Sequence, residues 1–288
     1  MTSFLRIAGI TIGIRYVDRS LWKELREAVG RFAVADAETV DVLLDIDLLD
    51  GPLPAPSRLL FDSGSVWRLY AAQSGYRLDC HAEMFGEQPY KTAIFDPDFS
   101  RGRILIRGEA AFEDMHPLDH PLDEVLFANL LGRRRGVELH GCGVIDRDGR
   151  GHLFVGQSGA GKTTTARLWL GQEGIEVVSD DRVIVRDCNG TLRMYGTPWH
   201  GEAELSSPAS APLAGVYLLR QAPTTELMVM SPADTTASLF GCTFPLFHDA
   251  GALAYTLGFL DRISREVPVH ALRFRPDASV IETVRRAA

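Results

Sequence analysis

The octapeptide Gly156-Gln157-Ser158-Gly159-Ala160-Gly161-Lys162-Thr163 constrains this chain more than any other stretch. Its glycines permit backbone torsions and close approaches that a Cβ would block. Consecutive N–H groups can therefore turn inward there and form an anion-sized cradle. The pattern G-x-x-x-x-G-K-[ST] requires a strand before it and a helix after it. Both are legible. Gly151 to Val155 is a short apolar run that reads as a strand. Thr164 to Leu170 reads as a helix burying Ala166, Leu168 and either Trp169 or Leu170, with Gly171 suited to its C-terminus.

A loop of this kind holds nucleotide phosphates, and each position has a chemical task. The Lys162 ammonium is placed to reach the β- and γ-phosphates, and the Thr163 hydroxyl to sit on Mg²⁺. The positive end of the helix adds to the anion site. The expected cofactors are ATP and Mg²⁺. The expected nucleotide contacts are Gly156, Gln157, Ser158, Gly159, Ala160, Gly161, Lys162, Thr163 and Thr164.

Two further clusters bear on chemistry. Asp180-Asp181 is flanked by the apolar runs Ile175 to Val178 and Val183 to Val185. Neighbours on a strand point to opposite faces, so the pair is expected at a strand end or turn, where both reach one site. One carboxylate would then hold Mg²⁺, and the other would accept a proton from an attacking hydroxyl. A solvated acidic turn is the plainer account of the pair taken alone. His140-Gly141 lies just before the strand that leads into the glycine loop, so His140 is a candidate catalytic group beside the phosphates. A hydrogen-bonded structural histidine is the competing account.

Composition excludes several classes. A net charge of −8 over 288 residues argues against general nucleic-acid binding, which needs a basic footprint. No apolar run reaches the ~18 residues of a membrane span, and the first residues lack a secretory pattern. Cys80, Cys142, Cys188 and Cys242 show no paired spacing and read as reduced thiols, which points to the cytoplasm. Cys80, His81, His116 and His120 match no standard zinc spacing.

The first hundred-odd residues look strand-rich. Strands are expected at Ile10 to Tyr16, Val40 to Leu48, Val66 to Ala71, Tyr76 to Ala82, Ala93 to Phe95 and Arg103 to Ile106, with an amphipathic helix over Ser20 to Phe32. Gly51 to Pro56 is a proline-rich connector. A helix is expected after Pro121, burying Leu122, Val125, Leu126, Leu130 and Leu131, with Arg133 to Arg135 at its solvated C-terminal end. The change of pattern places a boundary near residue 117, giving an N-terminal region 1–117 and a second domain 118–288.

His140-Gly141, the glycine loop and Asp180-Asp181, in this order and spacing, resemble the HPr kinase/phosphorylase family over roughly residues 120 to 220. The resemblance implies an α/β fold. Its C-terminal domain would be a phosphoenolpyruvate-carboxykinase-like P-loop kinase domain with a mixed sheet, preceded by a smaller strand-rich α+β region. It also implies that the second aspartate is the base, which puts that role on Asp181, and that Asp180 serves the metal. The loop that follows the aspartate pair in the family is replaced here by Tyr195 to Glu204. That segment is similar to the divergent branch found with modified-peptide pathways, including kinases that tailor lasso peptides.

Within the replaced loop, Glu202 or Glu204 is a candidate to complete the Mg²⁺ shell, His200 to contact phosphate, and Trp199 to line the acceptor pocket or pack in the core. Arg262, Arg265, Arg273 and Arg275 are candidates to neutralise the transferring phosphoryl group. The expected activity is transfer of the γ-phosphoryl group to a Ser or Thr hydroxyl of a peptide or small protein. A small-molecule hydroxyl kinase and a non-catalytic nucleotide-binding regulator are the alternatives. Association into a homo-oligomer stays open.

Overall fold

A computed structural model describes residues 1–53, 55–108 and 115–287, in two compact units, Met1–Leu130 and Leu131–Ala288. Pro54 of the proline-rich connector lies outside the described residues. The chain is mixed α/β, with mixed sheets and few helices.

In the first unit the strands are β1 (Thr2–Ile7), β2 (Ile10–Tyr16), β3 (Ala33–Val34), β4 (Val42–Leu48), β5 (Leu59–Asp62), β6 (Trp67–Ala72), β7 (Gly75–Cys80), β8 (Lys91–Phe95) and β9 (Arg101–Ile106). They form one sheet in the order β3-β1-β2-β4-β9-β8-β7-β6-β5, parallel only at β2–β4 and β4–β9. Period-two alternation explains its two faces. Ile12, Ile14, Val42, Leu44, Ile46 and Ile104 are fully buried on one. On the other, Arg15 pairs with Asp45 and Arg103 with Asp47, across neighbouring strands.

The helix expected over Ser20 to Phe32 does not form as one element. A 3₁₀ turn at Arg19–Leu21, capped by the Asp18 side chain on the Ser20 N–H, is followed by the single-turn α1 (Glu27–Gly30). Only Leu21 is buried among 20–31, while Trp22 is exposed, so this stretch has no continuous face to bury. Short helices without such packing are marginal.

Helix α2 (Leu122–Gly132) buries Leu122, Val125, Leu126, Phe127, Leu130 and Leu131. The two units divide within this helix, not at residue 117. Packing explains the difference. The buried Lys91 ammonium donates to the carbonyls of Pro117 and Asp119, and Tyr16 hydrogen-bonds His116, so residues 116–119 belong with the first sheet. Proline punctuation marks where a chain turns and carries no information about which side it packs on.

The second unit contains β10 (Val137–Ile145), β11 (Gly151–Val155), α3 (Lys162–Leu170), β12 (Glu176–Ser179), β13 (Arg182–Cys188), β14 (Thr191–Tyr195) and β15 (Ser210–Gln221). They are followed by β16 (Glu226–Val229), α4 (Pro232–Phe240), α5 (Ala250–Glu266), β17 (Val269–Phe274) and α6 (Ser279–Ala287). Two long strands, β10 and β15, each serve two sets of partners. β10 pairs with β13 through Val137 to His140 and with β11 through Gly141 to Ile145. β15 pairs with β14 near its start and with β11 and β17, both parallel, further on.

One hydrophobic cluster joins Ala166 and Trp169 of α3 and Val280, Ile281 and Val284 of α6 to Phe154, Tyr217 and Phe274. Another joins Phe259, Leu260 and Ile263 of α5 and Leu239 of α4 to Leu139, Val155, Val183 and Val216. Burial of these side chains fixes the strands whose ends carry the site.

Candidate active site

β10 is the strand on which the three sequence clusters meet. Along one edge it pairs with β12 and β13, interrupted at Asp180-Asp181: Gly143 lies opposite Ser179, His140 lies opposite Arg182, and the Gly141 N–H donates to the Asp181 carbonyl at 2.8 Å. Its other partner, β11, ends at Val155 opposite Gly141 and runs straight into the glycine loop. The Gly156 N–H then points to the His140 carbonyl at 3.3 Å. Residues forty positions apart are thus brought to one place by two antiparallel pairings.

The loop has the backbone that its glycines predict. Gly159 and Gly161 have φ of 80° and 107°, a region that side-chain-bearing residues avoid. A Cβ on Gly156 would lie 2.6 Å from the Ala160 Cβ, and one on Gly161 would lie 2.6 Å from Cζ of buried Phe274. The Gln221 amide donates to the Gly159 carbonyl at 3.0 Å and anchors the tip. Lys162 is buried and its Nζ donates to the carbonyls of Gly156 and Gln157 at 2.9 and 3.1 Å. Burial lowers its pKa, opposed by the nearby Asp181 charge. Gln157, Ser158, Gly159 and Thr164 are exposed, and Ala160, Gly161 and Thr163 half-buried, so the loop faces solvent with Lys162 beneath it.

The two aspartates part company. His140 Nε2 and Asp181 Oδ1 are 2.9 Å apart, and the Asp181 side chain keeps 28% of its surface exposed. The hydrogen bond to His140 holds the Asp181 carboxyl below the usual carboxylate range against the opposing effect of burial, with the His140, Arg182 and Lys162 charges adding to it. Asp180 is 1% exposed. Its Oδ1 accepts from the N–H of Gly201 at 2.9 Å and Leu205 at 3.3 Å, and its Oδ2 from that of Ala203 at 2.9 Å. Both carboxylates act on the Lys162 ammonium, each opposing the effect of its burial, yet their own surroundings differ. Asp181 faces His140, whereas Asp180 is spent on three backbone donors and shapes the 201–205 turn.

Other expected residues fall differently. Glu202 and Glu204 are exposed on that turn, and His200 is exposed with Nδ1 3.2 Å from the Gly201 carbonyl. Trp199 is buried, and its carbonyl accepts from Ser179 and Thr197 hydroxyls, so it packs in the core. Among the described residues, no group of three His, Cys, Asp or Glu side chains is placed to hold a metal. Arg262 pairs with Asp187 and Glu266, Arg265 with Asp261, Arg273 with Glu226, and Arg275 with Asp277. Arg182 lies against Asp181. Its Nε is 3.5 Å from Asp181 Oδ2 and its Nη1 3.1 Å from Glu138 Oε1. Its place directly after the aspartate pair was the available signal.

No protein-family model matches this chain, and no curated protein matches it in sequence. Among solved structures, the HPr(Ser) kinase/phosphatase from Coxiella burnetii is similar over 52% of this chain and 91% of that chain, at 11% identity and a TM-score of 0.30.

Proposed function

We propose that this chain is an ATP- and Mg²⁺-dependent phosphotransferase that moves the γ-phosphoryl group to a Ser or Thr hydroxyl of a peptide or small protein. One observation carries this reading: the β10 edges bring a glycine loop with its lysine next to a partly exposed aspartate hydrogen-bonded to His140. Phosphoryl transfer asks mainly for positioning and charge neutralisation.

The loop glycines leave room for phosphate where a Cβ would intrude. Lys162 supplies a cation by exchanging its bonds to the loop carbonyls for phosphate oxygens. Thr163, at the start of α3, would hold Mg²⁺ through its hydroxyl, and the ion would offset charge on the phosphates. Asp181, ionised and held by His140, accepts the hydroxyl proton as that oxygen bonds to phosphorus and the bond to the ADP oxygen breaks. Asp180 acts one step back, as a support for the loop beside Asp181.

The test is transfer of labelled γ-phosphate from ATP to serine-containing peptides, comparing wild type with Asp181→Asn. Loss of a general base lowers kcat by about 10²- to 10⁴-fold. Nucleotide affinity is expected to persist. Undiminished transfer by Asp181→Asn would overturn the assignment.

A further inference from the structure

A phenylalanine that belongs to none of the sequence motifs stands against the side chains that hold the proposed base. α4 ends at Phe240, and the turn after it is fastened to β10: the His140 N–H donates to the Cys242 carbonyl at 2.8 Å, and Thr243 forms a bridge with Leu139. His140 therefore receives the glycine loop at its carbonyl and this turn at its N–H. The next residue, Phe244, has its ring 4.2 Å from the Arg182 guanidinium and its centroid 6.4 Å from that of His140. It nevertheless remains 38% exposed. Phe247, three residues on, is 66% exposed and lies edge-on to Phe240.

The part of the ring left exposed offers apolar area that a bound group can cover. Here it is held on a strand edge and stacked on a cation. His140 and Arg182 both approach Asp181 and both approach this ring, so a group flanking a hydroxyl at Asp181 comes within reach of it. Arg182 is already engaged by Asp181 and Glu138, two carboxylates to one guanidinium, so an acidic neighbour gains nothing there. An apolar side chain gains contact area.

We infer that Phe244 selects the acceptor, favouring a Ser or Thr hydroxyl flanked by an apolar side chain that covers its ring. The inference rests on the phosphotransferase reading and deepens it by defining the acceptor. Contact with one apolar group discriminates by about 10-fold or more.

The experiment uses the full chain, ATP and Mg²⁺ with serine peptides that differ only in the flanking residue: Leu, Gly or Glu. Wild type is expected to show kcat/KM about 10-fold higher for the Leu peptide than for the Gly peptide, with the Glu peptide no better than Gly. Phe244→Ala is expected to bring the Leu and Gly values within about 2-fold, and Phe244→Trp, which keeps a ring over Arg182, to retain the preference. Equal transfer by wild type to all three peptides overturns the inference and leaves the phosphotransferase standing. A loss in Phe244→Ala that is equal on the Leu and Gly peptides also overturns it, because the preference would then be independent of the ring, which would act only through Arg182. Transfer to free polyols and to no peptide overturns both readings.

Discussion

Replacing Asp180 by asparagine separates a structural carboxylate from a metal ligand. The wild-type carboxylate accepts three backbone N–H groups, from Gly201, Ala203 and Leu205. Hydrogen bonds to a charged group contribute about 1.5–3 kcal/mol each, and neutral ones about 0.5–1.5. Asparagine can keep its oxygen on Gly201 and Leu205, but its NH₂ then faces the Ala203 N–H, donor against donor. One charged bond is lost and two are weakened, which sums to about 3 kcal/mol after allowing for the long Leu205 contact. In a unit of this size that corresponds to a fall in Tm of about 6–12 °C. Calorimetry in chelator-containing buffer is the assay, because it removes any contribution from bound metal. A carboxylate that served only as a metal ligand would relieve charge on neutralisation, so Tm would hold or rise. A metal-free Tm for Asp180→Asn equal to or above wild type would refute the reasoning.

Gly161→Ala would force a side chain into φ of 107° and against buried Phe274, at about 2–4 kcal/mol. A urea midpoint unchanged from wild type would contradict that geometry. The depressed Asp181 pKa makes its contribution to stability fully present above the unfolded value of about 3.9 and lost as pH falls through the lower folded value. As a base it stays ionised across neutral pH. In His140→Ala, the acidic limb of kcat/KM assigned to Asp181 is expected to move up toward the ordinary carboxylate value, and a limb that does not move would remove His140 from that role.

The strands of the first unit were mostly legible because alternation is local: Ile10, Ile12, Ile14 and Tyr16 alternate in sequence and are all buried in the fold, though Thr11 and Gly13 between them are covered as well. The helix over Ser20 to Phe32 was not, because an apolar period promises a helix only where a partner surface exists to bury it. β1 and β5 carried no clear signal: in β1 only Leu5 and Ile7 are buried, and in β5 no residue is.

At the site the same division holds. The glycine loop, its preceding strand and its helix are contiguous, and the torsions of Gly159 and Gly161 follow from residue chemistry alone, so the sequence by itself determined them. The interruption at Asp180-Asp181 was likewise local. Which aspartate is buried and which meets His140 was a tertiary matter, decided by the N–H groups of the 201–205 turn on one side and by His140 on the other. Arg182 against Asp181, and Phe244 against Arg182, emerged only when β10 gathered its neighbours. Backbone conformation is set by near neighbours, whereas the partner of a buried charge is whatever the packed chain brings within hydrogen-bonding distance.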